Sequence, residues 1–171
     1  MMQIRDLVLA DAQNLLAFEL ENRLWFEQFI TPREDRFFTL HAVQDHIRAY
    51  LLSKMQNRFH GCVVVDEAGQ ILARANLREI NLKRSTAEIG YRVAERHAGK
   101  GIASAATRHL MKLAYDDWKL QQLRGFVSVN NAASARVLEK NGFVKIGLHA
   151  DLARLRHGTQ DCFEYQHFAP D

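Results

Sequence analysis

One stretch constrains this chain more than any other: Arg96-His97-Ala98-Gly99-Lys100-Gly101-Ile102-Ala103. A β-type run, Ala87-Glu88-Ile89-Gly90-Tyr91-Arg92-Val93, precedes it, and a helix-type run from Ile102 towards Trp118 follows it. Two glycines between a strand and a helix leave bare backbone at a helix N-terminus. Unpaired amides and the helix dipole together attract a phosphate there. The junction therefore places a helix beside a sheet and offers a site for a phosphorylated ligand.

Two common phosphate sites are excluded by spacing. A P-loop needs Gly-x-x-x-x-Gly-Lys followed by Ser or Thr, whereas Gly99-Lys100-Gly101 is followed by Ile102. The dinucleotide fingerprint needs a glycine or alanine three positions after its second glycine, and Ser104 stands there. NAD and ATP are disfavoured accordingly. A formal net charge of +3 over 171 residues suits an anionic small ligand. It is too weak to argue for nucleic acid, and no basic-aromatic pattern supports one.

The rest of the chain reads as one domain, residues 1–171, long enough to bury a real core. Pro32 and Pro170 are its only prolines, and no linker or repeat interrupts it. No run is long enough to cross a membrane and no secretory pattern opens the chain, so a cytoplasmic protein without a membrane partner is expected. Cys62 and Cys162 belong to no Cys-x-x-Cys pair. Reduced, buried thiols are expected, with no zinc or other metal site.

Apolar spacing predicts a strand at Gln3 to Leu7 and then a helix burying Leu9, Ala12, Leu16, Leu20 and Leu24, with Asp11 at its start. Trp25 to Phe38 is irregular, aromatic and charged. A second helix carries Leu40, Val43, Ile47, Leu51 and Met55 on one face, with Thr39 near its start. Gly61 to Val65 and Gln70 to Arg78 read as strands about an Asp66–Gly69 turn, and Ser85 to Val93 as the strand before the glycine loop. The loop's helix turns Ala103, Ala106, Leu110, Ala114 and Trp118 inward. Leu123 to Val129 is a strand, Ala132 to Asn141 a short helix ended by Gly142, and Phe143 to Gly147 and Cys162 to Phe168 are closing strands. Hairpins early and strand–helix alternation later predict an α/β sheet of mixed direction. His41 and His46, five apart, read as surface histidines.

A second block accompanies the glycine loop: Asn131-x-x-Ser134-x-x-Val137-Leu138-Glu139-Lys140-Asn141-Gly142-Phe143. With Glu88-Ile89-Gly90-Tyr91 ahead of Arg96-x-x-Gly99-x-Gly101, the two blocks resemble the acetyl-CoA loop and last helix of the GNAT superfamily of N-acetyltransferases. The Asn-x-x-Ser form resembles the RimJ/RimL-like branch, whose best-known members acetylate N-termini of ribosomal proteins. The resemblance implies a mixed, mostly antiparallel sheet of about seven strands, splayed in the middle and flanked by four main helices.

It also implies residue roles. The pantetheine arm of acetyl-CoA would pair with backbone near Tyr91 and Val93. The pyrophosphate would rest on amides between Ala98 and Ala103, so Ala98, Gly99, Lys100, Gly101, Ile102 and Ala103 form the loop. Arg96 and Lys100 would add side-chain charge, although a solvated basic pair reads equally well. Asn131 would hold the pantetheine or cap the last helix. Lys140 would approach the cofactor or, the preferred reading, stand as a surface lysine, and Arg136 and Glu139 read as that helix's solvated face. The reaction would be direct attack of a neutral amine on the thioester, with Glu88 as base or, in the alternative, as a salt-bridge or edge charge. Members of the family often use a tyrosine on the last helix as acid. That position is Leu138 here, and Ser134, one turn earlier, is the substitute, as a positioning group or a proton donor. The segment of Trp25, Phe26, Phe29, Phe37 and Phe38 would cap the acceptor pocket, or form a satellite cluster. His149, Asp151, Arg154, Arg156 and His157 would lie between the last strands.

The acceptor would be a protein N-terminus first and a small amine or amino-acid-like antibiotic second. A non-catalytic acyl-CoA sensor is the reading from a different class. Oligomeric state is not fixed by the sequence, and a homodimer stays open.

Overall fold

The apolar runs find their burial on the two faces of a single sheet. The computed structural model describes all residues from Met1 to Asp171. In chain order the elements are β1 (Gln3–Asp6), α1 (Ala12–Glu21), α2 (Arg23–Phe26), α3 (Leu40–Met55), β2 (His60–Val65), β3 (Ile71–Asn81), β4 (Thr86–Val93), α4 (Ile102–Lys112), β5 (Gln122–Ser128), α5 (Ala132–Lys140), β6 (Val144–Leu155) and β7 (Gly158–Phe168). The sheet has seven strands in the order β1-β2-β3-β4-β5-β7-β6. All neighbours are antiparallel except β4 and β5. This is the expected α/β fold, with the short α2 in addition to four longer helices.

Against one face, α4 packs Ile102, Ala106 and Leu110 onto Ala87, Ile89 and Leu123. Against the other, α1 and α3 bring Leu15, Phe18, Val43 and Ile47 onto Val63, Val65 and Ile71. Burying each such large side chain contributes roughly 1.5–3 kcal/mol. Thr39 caps α3, its hydroxyl accepting from the Ala42 amide at 3.1 Å. Gly142, at φ +85°, supplies the left-handed residue just past α5, as a helix end of this kind requires.

Several local expectations fail. The buried stripe of α1 is Ala12, Leu15, Phe18 and Glu19, while Leu9, Leu20 and Leu24 are exposed. Helical spacing fits both sets of residues; Phe18 and the charge partners of Glu19 select the observed face. At the ends of α3, Leu40 and Met55 are likewise exposed. Asp11 caps no amide of α1 itself. It accepts from the Val8 amide at 2.9 Å and pairs with both ends of the Arg5 guanidinium at 2.9 and 2.7 Å. The last hairpin is much longer than its apolar pattern, so His149, Asp151 and Arg154 belong to β6 and Arg156 and His157 to its turn. A bulge near Asp151 (φ +55°) disguises that strand. Asp161 accepts the Asp151 amide at 2.9 Å, and the Thr159 hydroxyl donates to the Asp151 carboxylate at 2.6 Å.

One feature of the topology builds the site. β4 and β5 pair only through Thr86, Ala87 and Glu88. Beyond Glu88 they diverge, and the opening is left to other partners.

Candidate acetyl-transfer site

The divergence exposes a specific edge of β4. Ala94 donates to the Leu72 carbonyl at 2.9 Å, so that pair carries the ladder bonds. Antiparallel pairs alternate; the next pairs, Ala73 with Val93 and Ala75 with Tyr91, therefore point their backbone groups away from β3. Tyr91 and Val93 thus face the opening, as a ligand lying like an extra strand requires. One of these groups is already used: the Trp25 indole N–H donates to the Val93 carbonyl at 3.1 Å.

The opening widens into a cleft of about 650 Å³. Val93, Ala98, Gly99, Gly101, Ile102, Ala103, Asn131 and Ser134 all line it. At its far wall α4 starts on Gly101, whose φ is +81° and which offers no side-chain cap. The first helical bond runs from the Ala105 amide to the Gly101 carbonyl. The amides of Gly99, Lys100, Gly101, Ile102, Ala103 and Ser104 therefore have no protein partner. The Ala98 amide, expected among them, donates to the Glu95 carbonyl at 3.1 Å. The free row is displaced by one residue and gains Ser104. A Cβ placed on Gly99 or Gly101 would meet no protein atom within 4 Å. Unsatisfied donors beside open space at a helix N-terminus fit a diphosphate.

The basic side chains are arranged differently from the loop backbone. Arg96 and Lys100 do not line the cleft. Arg96 is turned to Gln70 at 3.2 Å and Glu21 at 3.5 Å. The cations on the wall beside the glycine loop are Arg136 and Lys140 of α5, so Arg136 leaves the solvated face expected for it and Lys140 takes the cleft-facing alternative. Helical spacing brings Arg136 to the side of Ala133 and Val137, which also line the cleft.

Ser134 is held by α5. The Asn131 side chain caps that helix, accepting from the Ser134 amide at 3.2 Å. The Ser134 hydroxyl lies 2.9 Å from the Tyr91 hydroxyl, which also donates to the Ser134 carbonyl at 3.2 Å. Burial pushes the Tyr91 hydroxyl up to about 12, so it stays protonated at neutral pH. The Tyr91 side chain thus joins the site beside the Tyr91 backbone. Strand alternation, which turns Ala87, Ile89 and Tyr91 to one face, was the available signal for its side chain. Leu138 is buried and contributes only apolar contact, its Cδ1 lying 3.1 Å from where a Gly125 Cβ would be.

Glu88 shares the opposite face with Gly90 and Arg92. It sits between Arg78 at 3.4 Å and Arg124 at 3.5 Å and is not among the cleft-lining residues, whereas Gly90 is. Trp25, Phe26, Phe29 and Ile30 also line the cleft. Phe37 packs instead beside His46, at 5.2 Å between ring centroids.

Two further clusters were not foreseen. His46 is half-buried and accepts from Arg74 at 2.8 Å. Burial, with Arg74 and Arg33 beside it, holds its pKa down at about 3. Asp6, His60 and Cys62 converge at the β1–β2 edge. There the Trp118 indole donates to His60 Nδ1 at 2.9 Å, so Nε2 carries the proton that goes to Asp6 at 2.7 Å. Both ring nitrogens are engaged in hydrogen bonds, and burial pushes the Cys62 thiol up to about 12. The cluster is a structural clasp. Both cysteines are free and buried.

Splayed strands, a glycine-started helix and a polar α5 N-terminus around one cleft define an acyltransferase of the GNAT class. The acetyltransferase (GNAT) domain family matches residues 2–144, and the chain belongs to that family. It is 33% identical over 147 residues to Probable N-acetyltransferase YjcK of Bacillus subtilis (strain 168), covering 85% of this chain and 81% of that protein. It is 29% identical to the ribosomal-protein-serine acetyltransferase of Escherichia coli (strain K12), over 75% of this chain and 67% of that protein. The fold superposes on ribosomal-protein-S5-alanine acetyltransferase from Vibrio fischeri with a TM-score of 0.95, at 22% identity, covering 99% of this chain and 94% of that one. RimJ and RimL structures solved with coenzyme A or its disulfide are also neighbours. The protein is an N-acetyltransferase. No helix is long and apolar enough to cross a membrane.

Proposed function

We propose that this enzyme uses acetyl-CoA to acetylate the α-amine of a protein N-terminus. The observation that carries the reading is the joining, in one cleft, of the free Gly99–Ser104 amides with the β4 edge that β5 leaves open at Tyr91 and Val93. The sequence relative named for ribosomal-protein serine supports the choice of acceptor. Bound there, acetyl-CoA supplies an activated acetyl thioester to the amine.

The protein's own groups have modest tasks. An α-amine of pKa near 8 is roughly one-tenth neutral at pH 7, so a weak base suffices. Glu88 takes that proton through water, because it stands on the acceptor face but off the cleft wall. Ser134 faces the departing sulfur, with the Tyr91 hydroxyl behind it. A thiolate leaving group of pKa about 8.5 needs little protonation, so Ser134 acts mainly by position.

Ser134→Ala is expected to lower kcat several-fold with little change in KM for acetyl-CoA, measured by thiol release; an unchanged kcat removes Ser134 from the chemistry. Glu88→Gln is expected to lower kcat about ten- to a hundredfold. The loss should be largest at low pH, where free amine is scarce. A uniform loss across pH with a lowered melting temperature assigns Glu88 to the Arg78–Arg124 ion pairs alone. The reading as a whole is tested by incubating the enzyme with acetyl-CoA, a thiol reagent and a peptide panel, with mass spectrometry locating the acetyl group. Acetylation on the α-amine is the expected result, and transfer to side-chain amines only would contradict it.

A further inference from the structure

The acceptor end of the cleft carries an excess of positive charge. On β3 and β4, Arg74 lies opposite Arg92, Asn76 opposite Gly90 and Arg78 opposite Glu88, so these side chains share one face. Arg74, Asn76, Arg78 and Arg92 all line the cleft, and no Asp or Glu does. Behind them Glu19 serves Arg74 at 2.8 Å, Arg92 at 3.3 Å and Arg33 at 3.4 Å, while Glu88, off the cleft wall, pairs with Arg78 at 3.4 Å and Arg124 at 3.5 Å. His46, the other partner of Arg74, is uncharged and adds no negative charge. Buried charges are ordinarily balanced by partners. Here two carboxylates, Glu19 and Glu88, face five guanidinium groups, and Glu19 alone is shared by three of them.

Two side chains are left with bonding capacity. Arg92 makes one side-chain hydrogen bond, the 3.3 Å contact to Glu19, although a guanidinium has five N–H donors. Burial and the nearby Arg33 and Arg74 charges bring its pKa down to about 10, the direction expected for a cation short of counter-charge. The Asn76 amide has no protein partner, and its Oδ1 is buried. The Phe26 ring centroid lies 5.2 Å from Arg92 Cζ, within cation–π reach. A fixed planar fork with free N–H groups is the geometry that binds a carboxylate through two parallel hydrogen bonds.

We propose that the acceptor carries a carboxylate close to its reacting amine, and that this carboxylate docks on Arg92 with Asn76 bonding the neighbouring polar group. The proposal rests on the acetyl-transfer reading above and narrows its substrate: an acidic residue at the start of a peptide, or the α-carboxylate of an amino acid, presents the same chemistry. Polyamines and lysine-rich N-termini are rejected, because they would bring cations against Arg74, Arg78 and Arg92.

The test uses the wild-type enzyme with saturating acetyl-CoA and follows thiol release. Peptides differ only in Asp, Asn or Lys at residue 1, 2 or 3; serine with serinamide, and spermidine, complete the set. At least a tenfold higher kcat/KM for the carboxylate member of the peptide or the amino-acid pair supports the proposal and identifies the source of the carboxylate. Lys peptides and spermidine should be the poorest acceptors. In Arg92→Gln the carboxylate-to-amide ratio should fall to near one. If that variant does not fold, the wild-type ratio still decides. Thiol release with equal kcat/KM for both members of every pair, or a preference for spermidine, overturns this proposal while leaving acetyl transfer intact. No thiol release with any amine overturns both.

Discussion

Gly101→Val should weaken acetyl-CoA binding about a hundredfold while lowering the melting temperature by only a few degrees. Gly101 stands at φ +81° and Gly99 at +75°, and an added Cβ at either meets no protein atom within 4 Å. Lost packing is therefore not the cause. An L-residue in the left-handed region costs roughly 1–2 kcal/mol, and a β-branched one strains more. The loop relaxes by turning its peptide planes, and the free amides from Gly99 to Ser104 lose their common direction. Losing two charge-assisted hydrogen bonds at roughly 1.5–3 kcal/mol each amounts to about a hundredfold or more in affinity. The new side chain also fills the open space beside the amides. Calorimetric titration measures the effect; an affinity within twofold of wild type would show that the loop backbone does not grip the ligand.

Glu19→Ala should be the most destabilising single substitution among the residues around the Arg74–Arg92 pair. Glu19 is 2% exposed and holds Arg74, Arg92 and Arg33 together. Removing it leaves buried guanidinium groups facing one another, a change that typically costs about 3–5 kcal/mol. For a chain of this size each kcal/mol moves the melting temperature by roughly 2–4 °C. A loss on the order of 10 °C is expected in a thermal melt, and a loss under about 2 °C would contradict the account of this cluster.

The same cluster sets the acid limit of the fold. Although burial opposes its charge, Arg92, Arg74 and Arg33 hold the Glu19 carboxyl down at about 2, against an unfolded value of 4.5. A depressed carboxyl contributes stability that is present above the unfolded value and lost as pH falls from 4.5 towards about 2. By linkage that contribution is roughly 3 kcal/mol. His46, at about 3 against 6.5, acts in the same direction and begins earlier. The unfolded chain takes up its proton below pH 6.5 and the folded one only near 3. Stability should decline from about pH 6.5 downward and more steeply below 4.5, and urea melts across that range measure it.

How much of this was legible in the sequence depended on how local each feature is. The glycine loop, the α5 block and the splay they imply are written in contiguous residues, and the fold follows from them. The Thr39 cap and the Gly142 helix end are local in the same way. The α1 face was misjudged because leucines at 16, 20 and 24 keep helical spacing as well as Leu15 and Phe18 do. The winning face was fixed by Glu19 meeting arginines of β3, β4 and the loop after α2, which no local pattern reveals. β6 escaped because it is exposed along most of its length and bulged at Asp151, so the alternating Val144, Ile146, Leu148 and Leu152 bury nothing and the pairing register shifts midway. Arg96 and Lys100 were natural phosphate partners by proximity in sequence; in space, Arg136 and Lys140 stand on the cleft wall instead. The clustered arginines come from β3 (Arg74, Arg78), β4 (Arg92) and the loop after α2 (Arg33), and the Arg74–Arg92 register brings the two strands' arginines to one surface.

The central claim is that main-chain amides at the start of α4, with the free edge of β4, hold coenzyme A. Isothermal titration of the purified protein with acetyl-CoA tests it most directly. A single saturable site is predicted, displaced by coenzyme A and lost in Gly101→Val. Absence of heat and of competition across buffers and temperatures, with the protein folded throughout, would contradict it.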